Sequence, residues 1–350
     1  MLKRRRLPDE IGILGVLVAV AAVLSLLSSQ FFTLSNLQVL LLNGTVVAFL
    51  ALGQTLVLLT GGIDLSVGSN IALTGMLAAL AMQAGAPWWL AGLVAVFAGL
   101  LVGLVNGSII HFVKLPPFIV TFSTFGISAA IPMILTGARS VSVADPNFAI
   151  FGRGSYFGVP IPVIMLAIAA VILMLVLRQT PTGIHIYAVG GNADASRLAG
   201  VNIGSKILTV YGISGVCAGI GGVITTSRLM VGYPTAGSGN EQFYSIASAV
   251  VGGVSLFGGV GTILGALLGA ILIATVSNGM NVVGVDSFWQ PLVIGVIILV
   301  GVSLDAVRRR ITITEAVGRL LGPRPGESGE PPPPPTTRET AGPVPVPSKE

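Results

Sequence analysis

Charged side chains are scarce in this sequence. Only 9% of its 350 residues are Asp, Glu, Lys or Arg, while 53% are hydrophobic. Soluble domains carry roughly 25% charged residues, so the scarcity excludes an ordinary soluble globule. The apolar residues form long uninterrupted runs, which indicate membrane-spanning helices of about 20 residues rather than the alternating strands of an outer-membrane barrel. The sequence therefore predicts an all-α, polytopic membrane protein.

Residue types that build catalytic and metal centres are also nearly absent. The chain has one cysteine, Cys217, and two histidines, His111 and His185. A single cysteine excludes a disulfide framework and a thiolate zinc site. No Gly-Lys pair occurs, so there is no Walker A loop to cradle ATP phosphates, and there is no His-Glu-x-x-His zinc motif. We predict no catalytic residue, no metal site and no cofactor for this chain, which is not an enzyme.

About ten apolar runs are long enough to cross a bilayer. They cover residues 11–30, 37–59, 65–84, 87–113, 117–136, 160–178, 206–229, 243–260, 261–281 and 288–306. Together they form a predicted transmembrane domain at 11–308. Glycines are frequent at 252–265, where the pattern is compatible with one bent helix, two half-helices or a tight hairpin. Glycine stripes at spacing four, in 99–107 and 261–269, predict close packing between helices of the same chain.

Lysine and arginine are distributed unevenly, which predicts the orientation of the chain. The basic segment 1–10 places the N-terminus in the cytoplasm, and ten spans return the C-terminus to the same side, beside the basic run 308–310. The inner loops carry more basic residues than the outer ones. Residues 309–350 form a cytoplasmic tail that is Pro-rich from about 322 and is predicted to be disordered, since it cannot bury a core.

A glycine- and hydroxyl-rich stretch at 59–69 contains Asp64, the one carboxylate clearly inside the predicted membrane zone. A charge at that depth costs several kcal/mol by most estimates. Two interpretations stay open: the carboxylate lines a polar pathway, or it accepts hydrogen bonds that hold a glycine turn. The orientation places this turn at the inner ends of the second and third spans, near a cytoplasmic gate, and favours the second interpretation. The candidate residues of this turn are Gly61, Gly62, Asp64, Ser66, Gly68 and Ser69.

Uncharged polar residues recur within the predicted spans. Amides and hydroxyls suit a neutral, hydroxyl-rich solute better than an ion. Most such residues tie helices together by hydrogen bonds, and a minority are expected to face a pathway. The candidates for pathway lining are Asn43, Gln54, Asn70, Thr121 and Asn278.

A short, well-delimited helix is predicted at 192–200, within the longest inner loop between spans. Asn192 is a good N-cap, Asp194 lies in the first turn, where the helix dipole favours a negative charge, and Gly200 is a natural C-terminal stop. Joining two spans does not require such a helix, so we interpret it as a docking element for a cytoplasmic partner. The candidate docking residues are Asn192, Asp194, Ala195, Ser196, Arg197, Leu198 and Gly200.

Four segments together resemble the permease subunits of bacterial ribose-type sugar ABC importers. They are LTGGIDLSVGS at 59–69, YAVGGNADASRLAG at 187–200, YPTAGSGNE at 233–241 and NGMNVVG at 278–284. The similarity keeps this order over about residues 10–308 and implies the ABC importer permease fold. Residues 194–200 are similar to the Glu-Ala-Ala-x-x-x-Gly coupling motif of that family, with Asp for Glu and Ser for the second Ala.

The resemblance implies a function and a set of partners. The chain would translocate a monosaccharide, such as a ribose-like pentose, a hexose or a related polyol, inward across the bacterial cytoplasmic membrane by alternating access. Its partners would be a cytoplasmic ATPase that binds ATP and Mg²⁺, an extracytoplasmic sugar-binding protein and a second permease subunit, identical or not. Both termini would be cytoplasmic. The alternatives are a branched-chain amino-acid ABC permease and an ion-coupled secondary transporter, which needs an intramembrane carboxylate relay.

Overall fold

The computed structural model describes residues 9–143, 145–303 and 306. The helices are α1 (Asp9–Leu27), α2 (Leu34–Leu59), α3 (Val67–Gln83), α4 (Trp88–Ser108, continued by a π-helical turn at Ile109–Val113), α5 (Pro117–Thr136), α6 (Ile150–Arg153), α7 (Ile161–Gln179), α8 (Pro181–Gly191), α9 (Ala193–Leu198), α10 (Ile203–Leu229), α11 (Glu241–Val251), α12 (Ile263–Val283) and α13 (Trp289–Ser303). The strands are β1 (Val141–Ser142), β2 (Ser155–Tyr156), β3 (Val159–Pro160) and β4 (Val231–Gly232), with a 3₁₀ turn at Pro146–Ala149. The predicted all-α architecture is confirmed.

Seven helices of the described residues are long and apolar enough to cross a membrane: α1, α2, α4 with its π-helical turn, α5, α7, α10 and α12. The apolar helices α3 and α13 are shorter. The predicted full span at 243–260 is wrong, because α11 has only 11 residues and ends at Val251. Gly253, Gly258 and Gly259 then adopt positive φ, which a right-handed helix cannot include. Residues 252–265 do not form one bent helix. The half-helix α11 ends at Val251, an irregular segment follows, and α12 begins at Ile263.

Helix α10 lies at the centre of the fold, against α2, α3 and α4. Its contact with α4 is very close, since a Cβ added to Gly99 would lie 3.1 Å from Gly219 Cα and one added to Gly103 would lie 3.1 Å from Gly212 Cα. A similar approach joins α12 to the end of α11, where a Cβ on Gly269 would meet the Gly252 nitrogen at 3.0 Å. The predicted role of the two glycine stripes in packing within the chain is therefore confirmed.

The loop between α5 and α7 and the segment after α10 are tied together. Strand β1 pairs antiparallel with β4, with Val141 opposite Gly232. Ser227 donates to the Phe148 carbonyl (2.5 Å), and Arg153 Nε donates to the carbonyl of Arg228 (2.6 Å). The Arg228 carbonyl near the end of α10 is thus satisfied by a side chain of the loop at 137–159, and a loop carbonyl is satisfied by Ser227 of α10. The predicted basic residues at 1–8, the C-terminal basic run and the Pro-rich tail lie outside the described residues.

Candidate pathway and coupling helix

The turn between α2 and α3 holds the buried carboxylate of Asp64. Gly61 adopts φ of 79°, which reverses the chain after α2 ends at Leu59. Asp64 is 1% exposed and accepts three hydrogen bonds. Ser66 donates to Oδ1 from its backbone nitrogen (3.0 Å) and its hydroxyl (2.6 Å), and Ser214 Oγ of α10 donates to Oδ2 (2.8 Å). Both carboxylate oxygens are satisfied without a cation.

The hydroxyl of Ser66 extends this set of bonds into a network across the fold. Asn106 of α4 donates to Ser66 Oγ (3.0 Å), and Thr124 of α5 donates to Asn106 Oδ1 (2.6 Å). Asn70 Nδ2 also donates to Ser66 Oγ (3.3 Å). With its amide oriented to match its neighbours, Gln54 of α2 donates to the Asp64 carbonyl (3.0 Å). The turn therefore connects helices from five parts of the chain.

The depth of Asp64 differs from the sequence prediction. Its partner Ser214 lies close to the middle of α10, and Gln54 lies more than a turn before the end of α2. The chain folds back between the helices after Gly61, so the carboxylate lies deeper than the inner helix ends where we predicted it. The interpretation of Asp64 as a fixed hydrogen-bond acceptor agrees with the three bonds, although the donors are serines and not the glycines of the turn.

The five candidate pathway residues fall into two groups. Asn43 and Asn278 line a cavity of about 270 Å³ between α2, α10, α11 and α12. Gln54, Asn70 and Thr121 are 0–1% exposed and lie outside it. Thr121, for example, donates to the Ile63 carbonyl (3.1 Å) and so joins α5 to the turn. Sequence alone cannot separate these groups, because an amide that ties helices together has the same chemistry as one that faces a pathway.

The cavity also contains residues that the sequence analysis did not select. Arg228, at the end of α10, and Glu241 and Tyr244, on the first turn of α11, all line it. Hydropathy placed Arg228 and Glu241 at span boundaries, where charged residues are usually solvated. The half-helix α11 brings them together, and the motif YPTAGSGNE, which ends at Glu241, was the one available signal.

The predicted helix at 192–200 is present as α9, with the predicted caps. Asn192 Oδ1 accepts from the Ala195 nitrogen (2.9 Å), and Gly200 has φ of +81°. Ser196 is buried and donates to the Asn192 carbonyl (2.8 Å). Leu198 is 91% exposed. Next to it, Arg197 forms an exposed pair with Asp194 at 3.5 Å. Helix α9 therefore presents an apolar side chain and an ion pair to its surroundings.

Three backbone segments meet immediately before α9, and we call this contact the glycine junction. It comprises Leu59, Gly61, Gly190, Gly258 and Gly259. The Gly259 nitrogen donates to the Leu59 carbonyl (2.9 Å). A Cβ on Gly190 would lie 2.6 Å from the Gly259 nitrogen and 2.9 Å from the Leu59 carbonyl carbon, and one on Gly258 would lie 3.0 Å from the Gly61 nitrogen. The junction places the end of α8 in contact with both the Asp64 turn and the segment after α11.

Tyr187 on α8 adds a side-chain bond beside the junction. Its hydroxyl donates to the Gly261 carbonyl at 2.8 Å. Burial raises the pKa of this hydroxyl, and the positive charge of Arg178 only partly opposes that rise. The phenol therefore stays protonated at neutral pH and remains a donor to this bond.

Comparisons with known proteins agree with this architecture. Residues 36–302 match the family described as branched-chain amino acid transport system / permease component. The chain is 38% identical to the D-allose transport system permease AlsC of Escherichia coli, over 85% of this chain and 91% of that protein. It is 36% identical to the ribose import permease RbsC of Haemophilus influenzae, over 83% and 90%.

A third relative is named a probable ABC transporter permease, y4mJ of Sinorhizobium fredii, and is 36% identical over 85% of this chain and 89% of that protein. No solved structure matches the chain. The family match covers most of the helical region, and the relatives align over nearly their whole length. The chain therefore belongs to this family of ABC importer permeases and is a multi-pass subunit of the inner membrane.

Proposed function

We propose that the chain is the permease subunit of an ABC importer that carries a monosaccharide inward, such as a pentose, a hexose or a related polyol. The observation that carries the proposal is the alignment with allose and ribose permeases over at least 83% of this chain. It favours a sugar over a branched-chain amino acid, although the family description names the latter. The amides that line the cavity, Asn43, Asn278 and Asn281, can hydrogen-bond a hydroxyl-rich solute and agree with this substrate class.

The ABC permease relatives disfavour an ion-coupled secondary transporter, and Asp64, the carboxylate that the sequence placed in the membrane zone, is not suited to be its relay. Such a transporter needs a carboxylate that exchanges ions with a pathway. Asp64 is buried, accepts three hydrogen bonds and does not line the cavity. A carboxylate held in this way serves as a fixed part of the fold.

The driving force in this proposal comes from a separate ATPase that binds ATP and Mg²⁺ and docks on α9. A sugar-binding protein delivers the substrate to the outer loops at 137–159 and 230–242, and a second permease subunit completes the importer. Closure of the ATPase moves α9, and the glycine junction passes the movement to the Asp64 turn and to the segment after α11. A nucleotide shifts this equilibrium only through its different affinity for the two conformations.

Replacing Leu198 by Asp is expected to uncouple the importer. Leu198 is 91% exposed on α9, so a charge there costs the isolated permease little stability. In a complex it would bury an unpaired charge at the centre of the contact and is expected to cost several kcal/mol of binding. Co-purification of the ATPase with the permease, and sugar-stimulated ATP hydrolysis by the assembled importer, measure this loss.

The matched control is Ser205→Asp, which adds the same charge in the first turn of α10, beyond α9. Ser205 is exposed, and an acidic residue at a helix N-terminus is favourable. We expect this variant to bind the ATPase and hydrolyse ATP normally. Normal coupling by Leu198→Asp would show that the ATPase docks elsewhere on the chain.

A further inference from the structure

The cavity between α2, α10, α11 and α12 has the properties of a ligand site within one subunit. Its volume of about 270 Å³ is close to the lower limit of small-molecule pockets, which is roughly 300 Å³. Arg228 and Glu241 supply one charge of each sign, and Ile71 and Ile273 supply apolar wall. A space of this size accommodates a single sugar ring.

The two charged residues of the cavity do not neutralise each other. Arg228 donates from Nη1 to Asn43 Oδ1 at 2.6 Å. Glu241 Oε2 is buried and has no hydrogen-bond partner among the described residues. The one ion pair within 4.0 Å in the described part of the chain joins Arg197 to Asp194 on α9, and neither residue lines the cavity. A buried polar atom without a partner is costly, so a small turn of the Glu241 side chain that brings Oε2 to a ligand donor in the cavity is favourable.

The amides of the cavity wall are held in fixed orientations. Asn278 and Asn36 exchange two hydrogen bonds, each of 3.0 Å, across α12 and α2. Gln290 beyond α12 donates to Asn281 Oδ1 (2.8 Å), and its Oε1 accepts from the Ser277 hydroxyl (2.9 Å). Bonds of this kind orient the wall before any ligand arrives, which lowers the cost of binding.

We propose that this cavity binds one monosaccharide inside a single permease subunit, as an intermediate site on the outer half of the transport path. Each sugar hydroxyl both donates and accepts hydrogen bonds, and the residues that line the cavity include the carboxylate of Glu241, the guanidinium of Arg228 and three asparagine amides. The isoleucines contact the apolar face of the ring. This inference rests on the proposed sugar transport, and a zwitterionic amino acid, which would also pair with Arg228 and Glu241, is the ligand that the test must distinguish.

The test is protection of an introduced cysteine in the assembled importer. Cys217, the one cysteine of the sequence, is buried and is first replaced by Ala. Ser277→Cys or Asn43→Cys then places a thiol on the cavity wall, and a membrane-impermeant thiol reagent labels it. Ribose or allose, at about ten times its Kd, is expected to slow labelling about tenfold, because only about a tenth of the sites stay open. Leucine is expected to give no protection.

Three variants make the result specific to the cavity. Ser287→Cys places a thiol in the exposed connection after α12, outside the cavity, and sugar should leave its labelling rate unchanged. Glu241→Gln keeps the size of the side chain and removes its charge, and it should reduce the protection at Ser277→Cys at least severalfold at the same sugar concentration. Asp286→Asn, an exposed carboxylate outside the cavity, should retain full protection.

The outcomes separate this inference from the proposed function. If the importer transports a sugar that fails to slow labelling at both cavity positions, the cavity is not a binding site, while the function stands. If the importer transports none of the sugars tested, the proposed function fails, and this inference fails with it. Protection by leucine and not by sugar would assign the cavity to an amino acid and overturn both.

Discussion

Replacing Gly190 by Ala is expected to abolish sugar transport by the assembled importer, whereas Gly191→Ala, one residue further on, should transport normally. A methyl group on Gly190 would overlap the carbonyl of Leu59 and lie 2.6 Å from the Gly259 nitrogen. Both neighbours are backbone from other parts of the chain, so neither can move away as a flexible side chain would. A methyl group on Gly191 meets no atom within 4 Å.

The expected effect of Gly190→Ala is large because the added methyl group disturbs two contacts of α8 at once, one with the Leu59 carbonyl and one with the Gly259 nitrogen. Overpacking a close contact typically costs about 1–3 kcal/mol, and here the overlap also opposes the bond from the Gly259 nitrogen to the Leu59 carbonyl. Helix α9 itself is unaltered, so the ATPase should still bind. We therefore expect bound ATPase whose hydrolysis no longer drives transport, measured in proteoliposomes together with the melting temperature.

Retention of both transport and melting temperature by Gly190→Ala would show that the glycine junction is loose and does not pass movement from α9 to the spans. A lower melting temperature with normal transport per folded molecule would assign the junction to stability alone. The Gly191→Ala control removes any general effect of helix propensity, since it adds the same methyl group to the same end of α8.

Replacing Asp64 by Leu is expected to prevent accumulation of the folded permease. The change leaves the Ser66 nitrogen and the hydroxyls of Ser66 and Ser214 without their acceptor in a buried site. Each orphaned donor costs about 1–3 kcal/mol, which together approaches the whole stability of many domains. Asp286→Asn, which removes an exposed carboxylate, should leave the melting temperature unchanged.

Asp64→Asn separates a fixed acceptor from an ion relay. The asparagine oxygen can still accept from Ser66, and its amide nitrogen can donate to the Ser214 hydroxyl, so the loss is mainly the strength of charge-assisted bonds. We expect a lower melting temperature and less assembled importer, with transport per folded molecule close to wild type. Complete loss of transport by a stable, fully assembled variant would instead indicate that the charge itself takes part in transport.

Some of these features follow from local sequence. The limits of α9 were predicted from Asn192, Asp194 and Gly200, because caps and a left-handed stop depend on residues within one or two turns. The long apolar helices were predicted from hydropathy, because a bilayer requires about 20 apolar residues regardless of what the helix packs against.

Other features depend on contacts between distant residues. The half-helix α11 was predicted as a full span, because the apolar run at 243–260 is long enough while the glycines after Val251 end the helix. The depth of Asp64 was predicted from the span order, whereas its bond to Ser214 shows that the turn folds back between helices. Neither the depth to which the chain folds back after Gly61 nor the contact between Asp64 and Ser214 follows from a fixed spacing in the sequence.

By itself, the sequence determined the membrane class, the order of the long helices, the short helix α9 and the family, since these depend on composition, hydropathy and contiguous motifs. The tertiary structure alone decided which polar residues hold the fold and which line the cavity. Asn70 and Asn278 are both asparagines within predicted spans, yet the first is bonded inside the Asp64 network and the second faces the cavity. The difference arises because the surroundings of a side chain depend on which helices pack around it, and that packing is set by contacts between residues far apart in the chain.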